Sequence, residues 1–126
     1  MILVSQPDFG PAETTAAQTV LESQWVGMGP QTERFEAALA SLLGVPHVVA
    51  TCSCTAALHL ALASLESDGR NEVIVPSLTF AATIQAVLMA GYKPVFAEVE
   101  PETLNLDCID VAGLLGPQTR AILPVH

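Results

Sequence analysis

Two long stretches of this chain carry no formal charge: no Asp, Glu, Lys or Arg occurs between Glu36 and Glu66, or between Glu72 and Lys93. Residues this apolar must be withdrawn from water, either in a bilayer or in a protein interior. The detail of both windows argues against a membrane span. Gly44, Pro46, His47, Thr51 and Ser53 interrupt the first, and Pro76, Ser77, Thr79, Thr83 and Gln85 interrupt the second. Neither holds an unbroken apolar run of spanning length. The remaining solution is a set of short buried strands alternating with helices, because a parallel strand covered on both faces reads as a near-continuous apolar run.

Four such runs are present: His47–Thr51 (HVVAT), Glu72–Val75 (EVIV), Pro94–Val99 (PVFAEV) and Arg120–Val125 (RAILPV). Each is rich in Val, Ile or Phe and bounded by turn residues. Helical spacing fills the intervals. It predicts helices over Glu13 to about Gln24, Gln31–Leu43, Thr55–Glu66, Thr79–Ala90 and Ile109–Leu115, with Gly44, Gly91 and Gly116 as stops. The helix TAALHLALASLE is apolar almost all round, so burial on several sides is expected. From the first run onward the order is β-α-β-α-β-α-β. The predicted fold class is therefore α/β, a mostly parallel sheet with helices on both faces.

Composition narrows the partners. Hydrophobic residues make up 51% of the 126 and charged residues 13%, which excludes disorder. The net charge of −9 repels nucleic-acid backbones and anionic membranes, so any phosphate must be gripped locally. Cys52, Cys54 and Cys108 are an odd number, and the opening MILVSQPDFGPAE lacks a basic and apolar leader pattern. A reduced, cytoplasmic protein is expected. Residues 1–30 differ from the rest, with a single amphipathic helix between Phe9-Gly10-Pro11 and Trp25–Pro30. They suggest an N-terminal arm, or equally an ordinary first helix of the same domain, ahead of an α/β region over 31–126.

Ligands of open α/β sheets bind beyond the carboxyl ends of the strands. After the first run, Cys52-Ser53-Cys54-Thr55-Ala56-Ala57 opens directly into a helix, offering unpaired N–H groups, the positive end of the dipole and the Thr55 hydroxyl. This is either a phosphate cradle or a simple Ser/Thr N-cap. The turn has no glycine where a dinucleotide fingerprint needs three, and no P-loop Gly-Lys-Ser/Thr. The lone C-x-C is a weak metal signal, and His47, His59 and His126 do not cluster. After the second run, Ser77 or Thr79 can cap the next helix. Phe80 then falls in its first turn, where its ring can lie against a planar heterocycle or simply join the core.

Seven blocks in order carry a family resemblance: Trp25–Pro30 (WVGMGP), Phe35-Glu36, Ser53–Leu60 (SCTAALHL), Asn71–Thr83 (NEVIVPSLTFAAT), Pro94–Glu98 (PVFAE), Thr103–Asp107 (TLNLD) and Thr119–His126 (TRAILPVH). From about Phe9 to His126 the chain resembles the N-terminal part of the DegT/DnrJ/EryC1/StrS family of pyridoxal-phosphate-dependent sugar aminotransferases. The resemblance implies part of a fold-type-I aminotransferase large domain, with residues 31–126 forming an incomplete α/β domain. It also implies a homodimer, a keto-sugar nucleotide substrate, glutamate as the usual amino donor, and pyridoxal 5'-phosphate (PLP) as cofactor. Cys54 and Thr55 match positions that hold the cofactor phosphate, and Phe80 matches an aromatic residue stacked on the pyridine ring.

No catalytic residue and no metal ligand is implied within this chain. The family's Schiff-base lysine and the aspartate that pairs with the pyridine nitrogen lie downstream of the block ending at His126. The sole lysine, Lys93 in GYKPVF, does not match, and Asn71 stands where family members usually have aspartate. The expectation is the leading portion of such an enzyme, inactive alone. The alternatives are a non-catalytic binding or interaction module, a decayed remnant, or the family's dehydratase branch, in which histidine replaces the lysine.

Overall fold

The computed structural model describes residues 5–125. Contacts divide the chain into two compact units, Met1–Ala50 and Thr51–His126.

The first unit holds two helices, α1 (Pro11–Glu22) and α2 (Pro30–Leu43), each with proline at its start. Proline suits that position because its fixed φ is already helical and its missing N–H would have no intrahelical partner. At the head of α1 the Gly10 N–H donates to the Glu13 carboxylate at 2.7 Å, and this bond holds the Glu13 carboxyl below its usual range. Gly44 ends α2 in the left-handed region at φ 66, the conformation glycine adopts without steric cost. Between the helices the Trp25 indole folds back and donates Nε1–H to the Met28 carbonyl at 2.9 Å. Neither helix has a fully buried residue.

The second unit is the α/β layer. Its elements in chain order are α3 (Cys54–Ala63), β1 (Glu72–Pro76), α4 (Ala81–Met89), β2 (Lys93–Ala97), α5 (Cys108–Leu114) and β3 (Thr119–Ile122). The strands form a parallel sheet in the order β2-β1-β3, with Ile74 opposite Val95 on one side and Ile122 on the other. Val73, Ile74 and Val75 in the central strand are wholly buried. Because side chains alternate along a strand, this run serves two faces. Val73 and Val75 pack with Leu62 of α3 and Ala86 and Val87 of α4, while Ile74 packs with Ala97 and with Val111 of α5. Helices therefore cover both faces, which is why β1 tolerates no polar position in its interior.

Three of the four apolar runs are strands; His47–Thr51 is not. It has no strand partner among the described residues, and the Ala50 N–H instead donates to the Glu36 carboxylate at 2.7 Å. A second difference concerns α3. Leu62 is buried and Leu58 packs beside it, but Leu60 remains 52% exposed, so α3 is covered along one side and not on several.

Candidate functional site

The two helices flanking β1 run in the same direction. The ends of α3 (Leu62, Ala63) and α4 (Ala90, Gly91) line one hollow with Asn71 and Tyr92, which immediately precede β1 and β2. The C-termini of both helices thus lie at the amino edge of the sheet. Their N-termini lie at the carboxyl edge, where parallel α/β sheets bind ligands.

At that edge Ser53 caps α3. Its backbone is extended (φ −163, ψ 159), its Oγ accepts the Ala56 N–H at 3.1 Å, and its carbonyl accepts the Ala57 N–H at 3.0 Å. The amides of Cys54 and Thr55 and the Thr55 hydroxyl have no partner among the described residues. The first turn has no acidic residue. The cap and the cradle, alternatives on sequence grounds, are compatible: Ser53 satisfies the deeper amides and leaves the two outermost ones with the Thr55 hydroxyl. Cys54 is exposed, so the helix start is open to solvent.

Phe80 reaches the same edge from β1. It occupies the N-cap position of α4 rather than its first turn, and no side chain caps that helix. Thr79, one of the two expected caps, instead shares a 2.8 Å hydrogen bond with the Thr83 hydroxyl. The other, Ser77, is tied by its N–H to the Ala97 carbonyl at 2.8 Å, joining the ends of β1 and β2. Phe80 is 81% exposed, so it is not a core residue. An aromatic face left in solvent beside a helix start is chemically suited to a planar ring carrying an anionic group.

Lys93 lies at the opposite edge. It starts β2, pairs in register with Glu72, and its Nζ donates to the Glu72 carboxylate at 2.8 Å. The length of a five-residue strand, about 13–16 Å at about 3.3 Å per residue, separates it from Thr55 and Phe80. Its position excludes it from chemistry at the carboxyl edge.

The amino edge also holds a charge cluster that the sequence did not announce. Asp68 accepts from Arg70 Nε at 2.8 Å and from Arg120 Nη1 at 2.6 Å, and Arg70 Nη1 reaches the Thr119 carbonyl at 3.3 Å. The Arg70 side-chain bonds, its backbone N–H and the Arg120 charge hold the Asp68 carboxyl at about 2. This cluster joins the loop before β1 to β3 and is structural. Asp68 and Arg120 are 52 residues apart, so no local pattern links them. Among the described residues no group of three or more His, Cys, Asp and Glu is placed to hold a metal ion. No helix there is long and apolar enough to cross a membrane.

A parallel α/β layer with an open helix start and an exposed aromatic ring at one sheet edge sits well with one class of protein, and the sequence places the chain in it. The chain belongs to the DegT/DnrJ/EryC1/StrS aminotransferase family, which it matches over residues 7–126. Among curated relatives it is 39% identical over 122 residues to the spore coat polysaccharide biosynthesis protein SpsC of Bacillus subtilis, covering 97% of this chain and 31% of SpsC. The sugar aminotransferase CalS13 of Micromonospora echinospora is 38% identical with a TM-score of 0.90, over 100% of this chain and 34% of that one. Spr1654 of Streptococcus pneumoniae, solved in a PLP-form, is 33% identical with a TM-score of 0.88, over 96% of this chain and 31% of its own. The chain thus spans about a third of the length of the relatives it matches.

Proposed function

We propose that this chain supplies the phosphate and ring contacts of a PLP-dependent aminotransferase acting on a keto-sugar nucleotide. The remaining site residues would come from sequence corresponding to the other two thirds of its relatives. The observation that carries this is the start of α3: two unpartnered amides and a free hydroxyl on an uncharged helix end, sharing a sheet edge with an exposed aromatic ring.

The residues fit the cofactor. The Cys54 and Thr55 amides and the Thr55 hydroxyl donate to the phosphate, and the α3 dipole favours its charge. The first turn of α3 carries no acidic side chain, which avoids local repulsion in a chain of net charge −9. Phe80 offers one face to the pyridine ring and fixes its plane. When bound, PLP supplies an electron sink for moving an amino group, with glutamate as donor in this proposal. No side chain described here can take the covalent lysine role, because Lys93 is committed to Glu72 at the far edge. The working enzyme on this reading is a cytoplasmic homodimer.

PLP and pyridoxal, which lacks the phosphate, are compared for binding to the chain by equilibrium dialysis. PLP should bind more tightly, and Thr55→Ala should cost about tenfold to a hundredfold for PLP and little for pyridoxal, the worth of one hydroxyl bond to a charged group. Equal binding of the two compounds, or loss of both with Thr55→Ala, would overturn the assignment of the phosphate to α3.

A further inference from the structure

Cys52 and Cys54 flank the Ser53 cap, and both thiols are free and exposed. Residues two apart across an extended residue tend to the same side of the backbone, so the extended Ser53 leaves the two thiols on neighbouring positions at the start of α3. Their spacing is close to that of a disulfide, but too long. Ser53 at φ −163 and ψ 159 is close to full extension, so the advance sits at the upper end of about 3.3–3.6 Å per residue and puts the two Cα atoms about 7.0–7.2 Å apart. Disulfides prefer about 5.5–6 Å and stop near about 6.8 Å. Joining the thiols therefore requires Ser53 to leave its extended conformation. That conformation is what lets its Oγ reach the Ala56 N–H at 3.1 Å.

We propose that Cys52 and Cys54 form a redox-sensitive switch: closing a disulfide between them pulls Ser53 out of its cap, loosens the first turn of α3 and closes the anion cradle. The last step rests on the phosphate assignment above. The oxidant is a low-molecular-weight disulfide. One cysteine thiolate attacks it, its S–S bond breaks, and one small thiol leaves a mixed disulfide on the protein. The second cysteine thiolate then attacks the protein sulfur and expels the second small thiol. The two cysteines lose two electrons and two protons, which the small disulfide takes up. Cys108 begins α5, which packs on the face of the sheet opposite α3 and α4.

The test treats the full chain with oxidised or reduced glutathione. Cleavage after Arg34 and Arg70 releases residues 35–70, which contain Cys52 and Cys54 but not Cys108. Oxidation should lower the mass of this peptide by about 2 Da, as disulfide closure requires. The Ala56 amide should exchange with solvent faster, and PLP should bind about tenfold more weakly or worse, the worth of one charge-assisted bond. Cys108→Ser should behave as the parent chain, and Cys52→Ser should show neither the mass loss nor the faster exchange. Absence of the mass loss, or a mass loss with unchanged Ala56 exchange, overturns the switch. A reduced chain that fails to bind PLP counts against the phosphate assignment instead, and the exchange measurement then decides the switch on its own.

Discussion

Replacing Ser53 separates what the start of α3 does for folding from what it does for a ligand. The side chain makes one capping bond, Oγ to the Ala56 N–H at 3.1 Å. Removing such a cap costs about 1 kcal/mol, and substituting glycine costs only a few tenths. For a cooperative unit of the size of Thr51–His126, about 1 kcal/mol corresponds to about 4–8 °C in Tm. Ser53→Ala should therefore lower Tm by about that much, and Ser53→Gly by about 1–2 °C. Ser53→Asp should leave Tm nearly unchanged, because aspartate caps as well as serine and its charge suits the helix dipole. The same charge repels a phosphate at the cradle. Two unit charges about 4 Å apart in water interact by about 1 kcal/mol, and a phosphate near −2 doubles this. Ser53→Asp should thus weaken PLP binding about thirtyfold while Ser53→Ala weakens it far less. Calorimetry and equilibrium dialysis on the same preparations read both quantities. A stable Ser53→Asp chain that binds PLP like the parent would refute the placement of phosphate at α3. An unchanged Tm in Ser53→Ala would refute the cap.

Two further tests concern the scaffold. The Asp68 carboxyl titrates at about 2 in the fold and at about 3.9 when unfolded, so its contribution to stability is complete above about pH 4 and is lost as pH falls towards about 2. The urea midpoint of the parent chain should exceed that of Asp68→Asn near neutrality, the gap narrowing between about pH 4 and 2; a gap constant with pH contradicts the Arg70 and Arg120 pairing. In the first unit, a Cβ on Gly29 would collide with the Trp25 indole at Nε1, whereas one on Gly27 meets nothing within 4 Å. Gly29→Ala should displace the indole from the Met28 carbonyl and shift the emission of the sole tryptophan, while Gly27→Ala should leave the spectrum unchanged.

Helix positions were legible along the chain because a helix closes its hydrogen bonds within itself and its ends are set by local chemistry. Gly44 at φ 66 and Gly91 at φ 82 stand where the glycine punctuation put them. The central strand was equally plain, since Val73, Ile74 and Val75 must satisfy two covered faces and leave no polar residue to misread. The serine cap at the α3 start was readable for the same local reason. The seven ordered motif blocks identified the family. Pairing was not readable. His47–Thr51 has the composition of a strand and lacks a strand neighbour among the described residues, because a strand exists only through its ladder. Exposure was not readable either: nothing in the letters distinguishes Phe80 at 81% exposed from a core phenylalanine. The tertiary structure decided that Phe80 and Thr55 share the carboxyl edge of the sheet while Lys93 is held at the amino edge. It also brought Asp68 to Arg120 across 52 residues. Those outcomes depend on which strands lie side by side and which way the helices run between them, and both are fixed by long-range packing that no short window of sequence contains.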